Sequence, residues 1–481
     1  MRAIVSNIIE IENPSQNVLK WAKTTLTIAN PAYAKKRKLG LWLGATPKVI
    51  KLYDCYNDKL YVPVGCLEDI KELFGQEMVI LTDIHDVRCV KDAVIDSNIT
   101  LRDYQKPALT PFISRFHRAT NGLIIMPCGL GKTNVGLEIA SQLKQKTLFI
   151  THTKELVHQA ETRCKDNLIC KTSLITEGIV DTSGDIVFAT VQTLIKHLED
   201  IPQNEFGIVI EDEVHRMTAS AESIGMFREC MEYFASKYKI GLTATLHRSD
   251  GLEMCIPKIV GNVLYEIKED GDNYVGYLDN KPVISFDKSQ FQVPAKVTFI
   301  ETGYKLKEII NGKVIHRDVY DDNDVLLYYK LLNDVCTDTN RNNLIAKTVL
   351  KSKGSSIILS DRVEQLKTLH KMIPNSVLIT GSTKKKDREQ ALKDVEEGKV
   401  QHLLASYKIA KEGLDLPILE NLFMASPVKD AAVVIQSIGR IQRPYGNKKI
   451  ANVYDFTDNG VSMLAGLYTK RKNIYRKKSW L

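Results

Sequence analysis

Residues 126–133 read Met-Pro-Cys-Gly-Leu-Gly-Lys-Thr, and farther along the chain residues 211–215 read Glu-Asp-Glu-Val-His. The first run is a glycine-rich turn ending in a lysine and a hydroxyl. Backbone N–H groups of such a turn, with the N-terminus of a following helix, cradle phosphate oxygens. Gly129 and Gly131 permit positive φ and close backbone approach; Pro127, Cys128 and Leu130 complete the loop. Lys132 can then reach the β- and γ-phosphates, and the Thr133 hydroxyl can ligate Mg2+. In the second run Asp212 can hold magnesium through water, and Glu213 can orient and deprotonate an attacking water. Glu211 has no assigned task. As a pair, each behind an apolar run, the two motifs imply ATP hydrolysis with Mg2+ as the metal. One departure stands out: Met126 occupies the first glycine position of the general G-x-x-x-x-G-K-[ST] pattern.

A third run, Gln436-Ser-Ile-Gly-Arg440-Ile-Gln-Arg443-Pro, places two arginines three apart, as on one helical face. An arginine acting on the transferring γ-phosphoryl is worth about 10³–10⁵ in rate. Arg440 and Arg443 are therefore candidates for that charge-neutralising role.

The elements that must carry these motifs follow from patterning. Residues 1–95 alternate short strand-like runs (49–53, 60–64) with turns and a helix-like stretch at 67–74, which reads as a small α+β module. Residues 96–295 alternate apolar strands with amphipathic helices, the signal of a parallel sheet; candidate strands are 123–126, 147–150, 186–189, 208–210 and 240–242. Residues 250–300 are the least regular and read as a strand-rich elaboration and connection. From 296 to 481 the alternation restarts with strands at 357–359, 377–379, 403–405, 422–424 and 453–455, without a second phosphate loop. The fold class expected is α/β, with two tandem parallel-sheet domains behind a small N-terminal module. The phosphate loop in the first half alone is what a composite ATP site needs.

Composition narrows the function class. The 481 residues are 44% hydrophobic and 26% charged, as in ordinary globular proteins. Nine scattered cysteines without a C-x-x-C pair argue against a disulfide framework or a zinc site and for a reducing cytosol. No apolar run approaches a membrane span. The net charge is +8. The first 60 residues hold ten Lys/Arg against four acids, including Lys35-Lys36-Arg37-Lys38, and residues 470–481 hold six basic residues, no acid, Tyr475 and Trp480. Basic clusters with aromatics suit a polyanion such as nucleic acid; a solvated surface and a frayed tail suit the same composition. Trp21, Trp42 and Trp480 are candidates for stacking on bases, or for core or tail packing.

With these residues in hand the chain resembles the superfamily 2 helicases of the DExH type over about 100–460. Leu101-Arg102-Asp-Tyr104-Gln105 resembles the Gln-containing motif that reads the adenine, with Gln105 the implied base contact and Arg102 beside it. Residues 151–159 resemble motif Ia, 189–194 the later nucleic-acid motif of the first half, 241–245 motif III, 357–362 motif IV, 405–417 motif V and 436–443 motif VI. Within the superfamily, L-R-x-Y-Q and G-L-T-A-T-x-x-R (with Arg248) resemble the XPB/UvsW-like branch.

The resemblance implies Gly413 and Asp415 near the nucleotide. It also implies Thr151, Thr190, Thr193, Ser360 and Ser406 on a nucleic-acid backbone, and His215, Thr243, Thr245 and Gln436 in coupling hydrolysis to movement. It implies an ATP-dependent DNA helicase on branched or forked DNA, in the cytosol (the host's if phage-encoded), with no membrane role and no indicated protein partner. A duplex translocase that does not separate strands and an RNA helicase stay open as alternatives.

Overall fold

The computed structural model describes residues 1–38, 40, 42–81, 91–114, 119–216, 224–246, 251–310, 313–316, 319, 327–411 and 416–481. By packing the chain divides into two units, Met1–Asp287 and Lys288–Leu481. The first 95 residues thus share a unit with the sheet that follows them.

That front segment builds a five-stranded sheet in the order Asp54–Tyr56, Lys59–Pro63, Ile8–Glu12, Arg2–Val5, Val79–Leu81. The helix Leu67–Phe74 buries Leu67, Ile70 and Phe74, at the spacing of one apolar face. Its core is continuous with that of the larger sheet: Ile9, Val62 and Cys66 belong to the same buried cluster as Val209, Cys255 and Ile259.

The larger sheet of the first unit has ten strands. Its centre comprises β1 (Asn121–Ile125), β2 (Thr147–Thr151), β3 (Ile186–Thr190), β4 (Ile208–Asp212) and β5 (Tyr238–Thr243). They run parallel in the order β3-β2-β4-β5-β1, so sequence neighbours are separated by crossovers. The chain rises from β1 into α1 (Lys132–Leu143) and from β2 into α2 (Lys154–Asn167). These strands are apolar on both faces, as in a sheet covered by helices on each side.

After β5 comes α3 (Cys255–Val260), then an antiparallel extension, β6 (Val263–Asp270), β7 (Asn273–Leu278) and β8 (Lys281–Asp287). β6 pairs parallel with β1, so the extension grows from the strand that carries the phosphate loop. This is the strand-rich elaboration expected of 250–300.

The second unit holds six parallel strands: β9 (Ala295–Glu301), β10 (Ser356–Leu359), β11 (Ser376–Ile379), β12 (His402–Ala405), β13 (Asn421–Met424) and β14 (Ala451–Thr457). Their order is β9-β14-β13-β10-β12-β11. Helix α4 (Ala431–Ile441) lies between β13 and β14, and α5 (Ser462–Lys477) follows β14. The architecture is the α/β pair of RecA-like sheets behind a small α+β module.

Two expectations need correction. Arg440 and Arg443 do not share a helical face, because α4 ends at Ile441 and Arg443 follows in the turn. Pro444 explains it: the residue before a proline is pushed out of the helical region. The C-terminal segment is also no frayed tail. Arg471 lies 3% exposed, its Nε and Nη2 donating to the two Asp455 carboxylate oxygens at 2.8 Å each. The Tyr475 hydroxyl donates to the same carboxylate at 2.8 Å, and Trp480 is buried. Apolar and ion-paired residues at one helical spacing draw this part of the basic run inward.

Candidate nucleotide site

The site of the first unit forms where three neighbouring parallel strands end together. The ladder aligns Asp212 with Leu242 and Thr243 with Ile125, so the ends of β4, β5 and β1 lie side by side. Ligands bind at that edge of an open α/β sheet. Met126 continues β1: its side chain is fully buried and its N–H donates to the Thr243 carbonyl at 2.9 Å. A methionine therefore serves where the general pattern has glycine, because position 126 is buried core just past the end of β1 here.

From Pro127 the chain turns. Leu130 N–H returns to the Pro127 carbonyl at 3.3 Å, and Gly129 and Gly131 adopt φ of +87° and +82°. Gly131 is needed twice over. Its φ is left-handed, and a Cβ there would stand 2.4 Å from the Gln105 amide nitrogen. Cys128 and Gly129 are exposed at the mouth of the turn, whereas Leu130 is buried beneath it. Gln105 is pinned at both ends: its amide donates to the Leu130 carbonyl at 2.8 Å, and its carbonyl accepts the Arg102 N–H at 2.9 Å.

Lys132 opens α1 and is 9% exposed. Its ammonium lies 3.8 Å from Glu213. Glu213 itself holds a left-handed φ of +59°, and its N–H donates to Asp212 Oδ1 at 2.9 Å. A left-handed non-glycine residue costs on the order of 1 kcal/mol and clusters at functional sites. Burial, then Glu213 beside it, push the Asp212 carboxyl up to about 6, while Lys132 and Arg163 pull it back. Glu211 points elsewhere: it is wholly buried, and burial lifts its carboxyl well above the usual range.

His215 ties these acids to β5. Its Nδ1 lies 3.1 Å from Glu213 Oε2 and 3.1 Å from Thr243 Oγ1. The Thr243 hydroxyl donates to the Thr245 carbonyl at 2.8 Å, which leaves its oxygen to accept from the imidazole. One imidazole ring thus lies within 3.1 Å of both Glu213 and Thr243.

Thr133 on α1 and Asp212 at the end of β4 offer hard oxygen donors of the kind that suit Mg2+. Among the described residues no group of three or more His, Cys, Asp or Glu could hold a metal. The Asp212 carboxyl, buried and pushed up, is the kind of group a nearby cation would restore to its charged form.

Residues 98–248 match the family described as "Type III restriction enzyme, res subunit", and residues 340–445 match "Helicase conserved C-terminal domain". The chain belongs to the superfamily 2 helicases. Relatives of this helicase include the "Putative ATP-dependent RNA helicase L396" of Acanthamoeba polyphaga mimivirus, 28% identical over 431 residues, with 88% of this chain and 76% of that protein covered. The "DNA 3'-5' translocase XPB2" of Sulfurisphaera tokodaii is 27% identical over 385 residues, with 74% of this chain and 83% of that protein covered. In fold the helicase is similar to S. cerevisiae Dbp5 bound to RNA and ADP BeF3, at a TM-score of 0.51, 15% identity, and coverage of 76% and 86%.

Of the residues expected on nucleic acid in this helicase, Thr151, Thr190, Ser360 and Ser406 lie at or just past C-terminal strand ends, and Thr193 lies in the short helix Val191–Leu194 that follows β3. Thr151 and Thr190 are ladder partners at the ends of β2 and β3. Thr151 donates to the Thr153 carbonyl at 3.0 Å, and Thr190 pairs with Thr193 at 3.0 Å. In the second unit Ser360 is fully buried, with its hydroxyl on Gln365 at 2.7 Å, and the Ser406 oxygen accepts the Ile409 N–H at 3.3 Å. A backbone contact by Ser360 would require its present bond to be exchanged. Gln436 sits within α4, Arg440 near its end and Arg443 beyond it, each half-buried. Gly413, Asp415 and Arg248 lie outside the described residues. Of the tryptophans, Trp21 packs edge-on against Phe74 with centroids 5.8 Å apart, and Trp42 is 87% exposed.

Sequence reasoning missed Arg163. It lies on α2, thirty residues past the loop, and its guanidinium donates to the Thr133 hydroxyl at 3.2 Å. Nothing in the local run Glu161-Thr-Arg-Cys distinguishes it from a solvated helix face.

Proposed function

We propose that this helicase couples ATP hydrolysis to movement on DNA, acting on forked or branched duplexes. The carrying observation is the assembly at one sheet edge of Lys132, Asp212, Glu213 and His215, with His215 in contact with Thr243. The similarity to an archaeal protein named as a DNA translocase supports DNA as the track.

In this reading the N–H groups of 129–133 and the Lys132 ammonium bind the phosphates, and Gln105 and Arg102 face the base. Thr133 and Asp212 hold Mg2+, which supplies charge neutralisation at the phosphates when bound. Glu213 takes the proton of the attacking water, and its partner His215 relays the change to Thr243 and Thr245. Arg440 and Arg443 neutralise charge on the γ-phosphoryl, with Gly413 and Asp415 toward the ribose. Thr151, Thr190, Thr193, Ser360 and Ser406 grip backbone phosphates, which positions a strand without reading its sequence.

For residues 1–95 we propose an accessory DNA-binding role beside the motor halves 96–295 and 296–481. The helix Pro31–Lys38 supports it, with Lys35, Lys36, Arg37 and Lys38 in its last turn and no buried residue, and so does the exposed Trp42 nearby.

The name of the mimivirus relative favours a second reading, an RNA helicase. ATPase rate measured against single-stranded, duplex, forked and four-way DNA and the matching RNAs decides. The expected result is stimulation by DNA, greatest on branched forms and falling with salt. Stimulation by RNA alone would overturn it.

A further inference from the structure

The extension β6–β8 reaches back to the residues that flank the phosphate loop. The Phe286 ring stacks on Tyr104 with centroids 4.5 Å apart and planes 18° from parallel. The Tyr265 hydroxyl donates to the Tyr104 carbonyl at 2.5 Å. Tyr274, the ladder partner of Phe286, closes the cluster with its ring 5.6 Å from that of Phe286. Tyr104, Tyr265 and Tyr274 are buried.

This arrangement is costly to build by chance. Three strands of the extension each contribute one aromatic to the same point, and Gly276 is part of it: a Cβ there would stand 2.4 Å from the Tyr265 oxygen. Tyr104 is the immediate neighbour of Gln105. Both reach the Leu130 carbonyl, the tyrosine hydroxyl at 3.4 Å and the Gln105 amide at 2.8 Å. The Arg102 guanidinium donates to the Tyr104 hydroxyl at 3.3 Å. The aromatic cluster therefore holds the residue between the two groups that face the nucleotide base.

We propose that Phe286 and Tyr265 are positioning residues for base recognition: by clamping Tyr104 from the extension they set the placement of Gln105 and Arg102, and so the preference for adenine over other bases. The inference rests on Gln105 facing the base. A purely structural extension would lower stability or turnover without regard to which nucleoside triphosphate is offered. A positioning role acts on KM and on base preference.

The experiment is steady-state hydrolysis of ATP and GTP by the full chain and its variants, with thermal melting alongside. Phe286→Ala is expected to raise KM for ATP about tenfold and to reduce the ATP-over-GTP preference by a similar factor, with kcat within about twofold, since small misplacements at a site cost this much or more. Tyr265→Phe, which removes one oxygen, is expected to shift both quantities in the same direction by about threefold, the size of one hydrogen bond, and Phe286→Tyr to restore the stack. Unchanged KM and preference in both Phe286→Ala and Tyr265→Phe overturn the proposal, as does a fall in kcat alone. If Phe286→Ala fails to fold, Tyr265→Phe carries the test by the same criteria. Gln105→Ala separates the two levels: raised KM there with unchanged values in the extension variants refutes only the extension's role. An unchanged KM in Gln105→Ala removes base recognition by Gln105 itself.

Discussion

Lys132 and Glu213 face each other at 3.8 Å, the one opening the helix behind the phosphate loop and the other strained into the left-handed region past β4. Each stands as a charge partner of the other, and Glu213 also faces His215. Glu213→Gln removes the proposed base while keeping the shape of the side chain. Turnover is expected to fall by about 10²–10⁴, with ATP affinity kept or raised, as equilibrium binding of a labelled nucleotide would show. Near-normal turnover would contradict the role of Glu213 as base.

Lys132→Ala removes the buried ammonium at the loop. ATP hydrolysis is expected to vanish while DNA binding, measured by fluorescence anisotropy, stays within about threefold, because the hydroxyls proposed to grip the DNA backbone are elsewhere. A parallel loss of DNA binding would point to misfolding of the first sheet.

Arg163 reaches the Thr133 hydroxyl and lowers the Asp212 carboxyl's pKa, so its charge sits near both proposed magnesium donors. Arg163→Gln is expected to lower the Mg2+ concentration for half-maximal ATPase by about two- to fivefold, the size of a partly screened charge contact. An unchanged magnesium requirement with raised KM for ATP would assign the guanidinium to the phosphates instead.

The candidate nucleotide site was legible in sequence because its residues are local. Phosphate loop, acidic strand end and their order along the chain are runs of adjacent residues, and the strands that carry them are apolar blocks of ordinary length. What could not be seen depends on contacts across the fold. Arg163, Tyr265 and Phe286 meet Thr133 or Tyr104 from 30 to 182 residues away in residue number, with no motif around them. The C-terminal basic run read as a tail because charge dominates its composition; Arg471 is drawn inward by Asp455, which only the sheet brings near. Arg443 was misplaced on a helix although Pro444 beside it carried the signal.

The Arg471–Asp455 pair gives a stability test. Removing one partner strands a buried charge, so Arg471→Ala is expected to cost about 3–5 kcal/mol. The double variant Arg471→Met/Asp455→Leu should recover most of it in thermal unfolding. Equal losses in both would mean that packing around α5, rather than the charge pair, sets the cost.

The front sheet is stitched to the motor sheet at several points. Lys239, fully buried on β5, donates to the Asn7 carbonyl at 2.9 Å and the Met231 carbonyl at 2.7 Å. Lys258 pairs with Asp69 at 2.5 Å, and Gly65 abuts the carbonyls of Pro257 and Lys258 so closely that a Cβ would clash. Lys239→Met is expected to cost about 2 kcal/mol. Deleting residues 1–81 uncovers Cys255, Ile256 and Ile259, and should depress ATPase through loss of soluble protein. An intact, active truncation would contradict this.

The shared ammonium of Lys239 also bears on ancestry and on engineering. A chimera that gives this motor a foreign front end inherits a buried lysine that has lost its Asn7 acceptor. Exchange of front ends between such proteins is therefore expected to succeed where position 239 changes hands together with the segment around Asn7, or where a neutral residue has already replaced it.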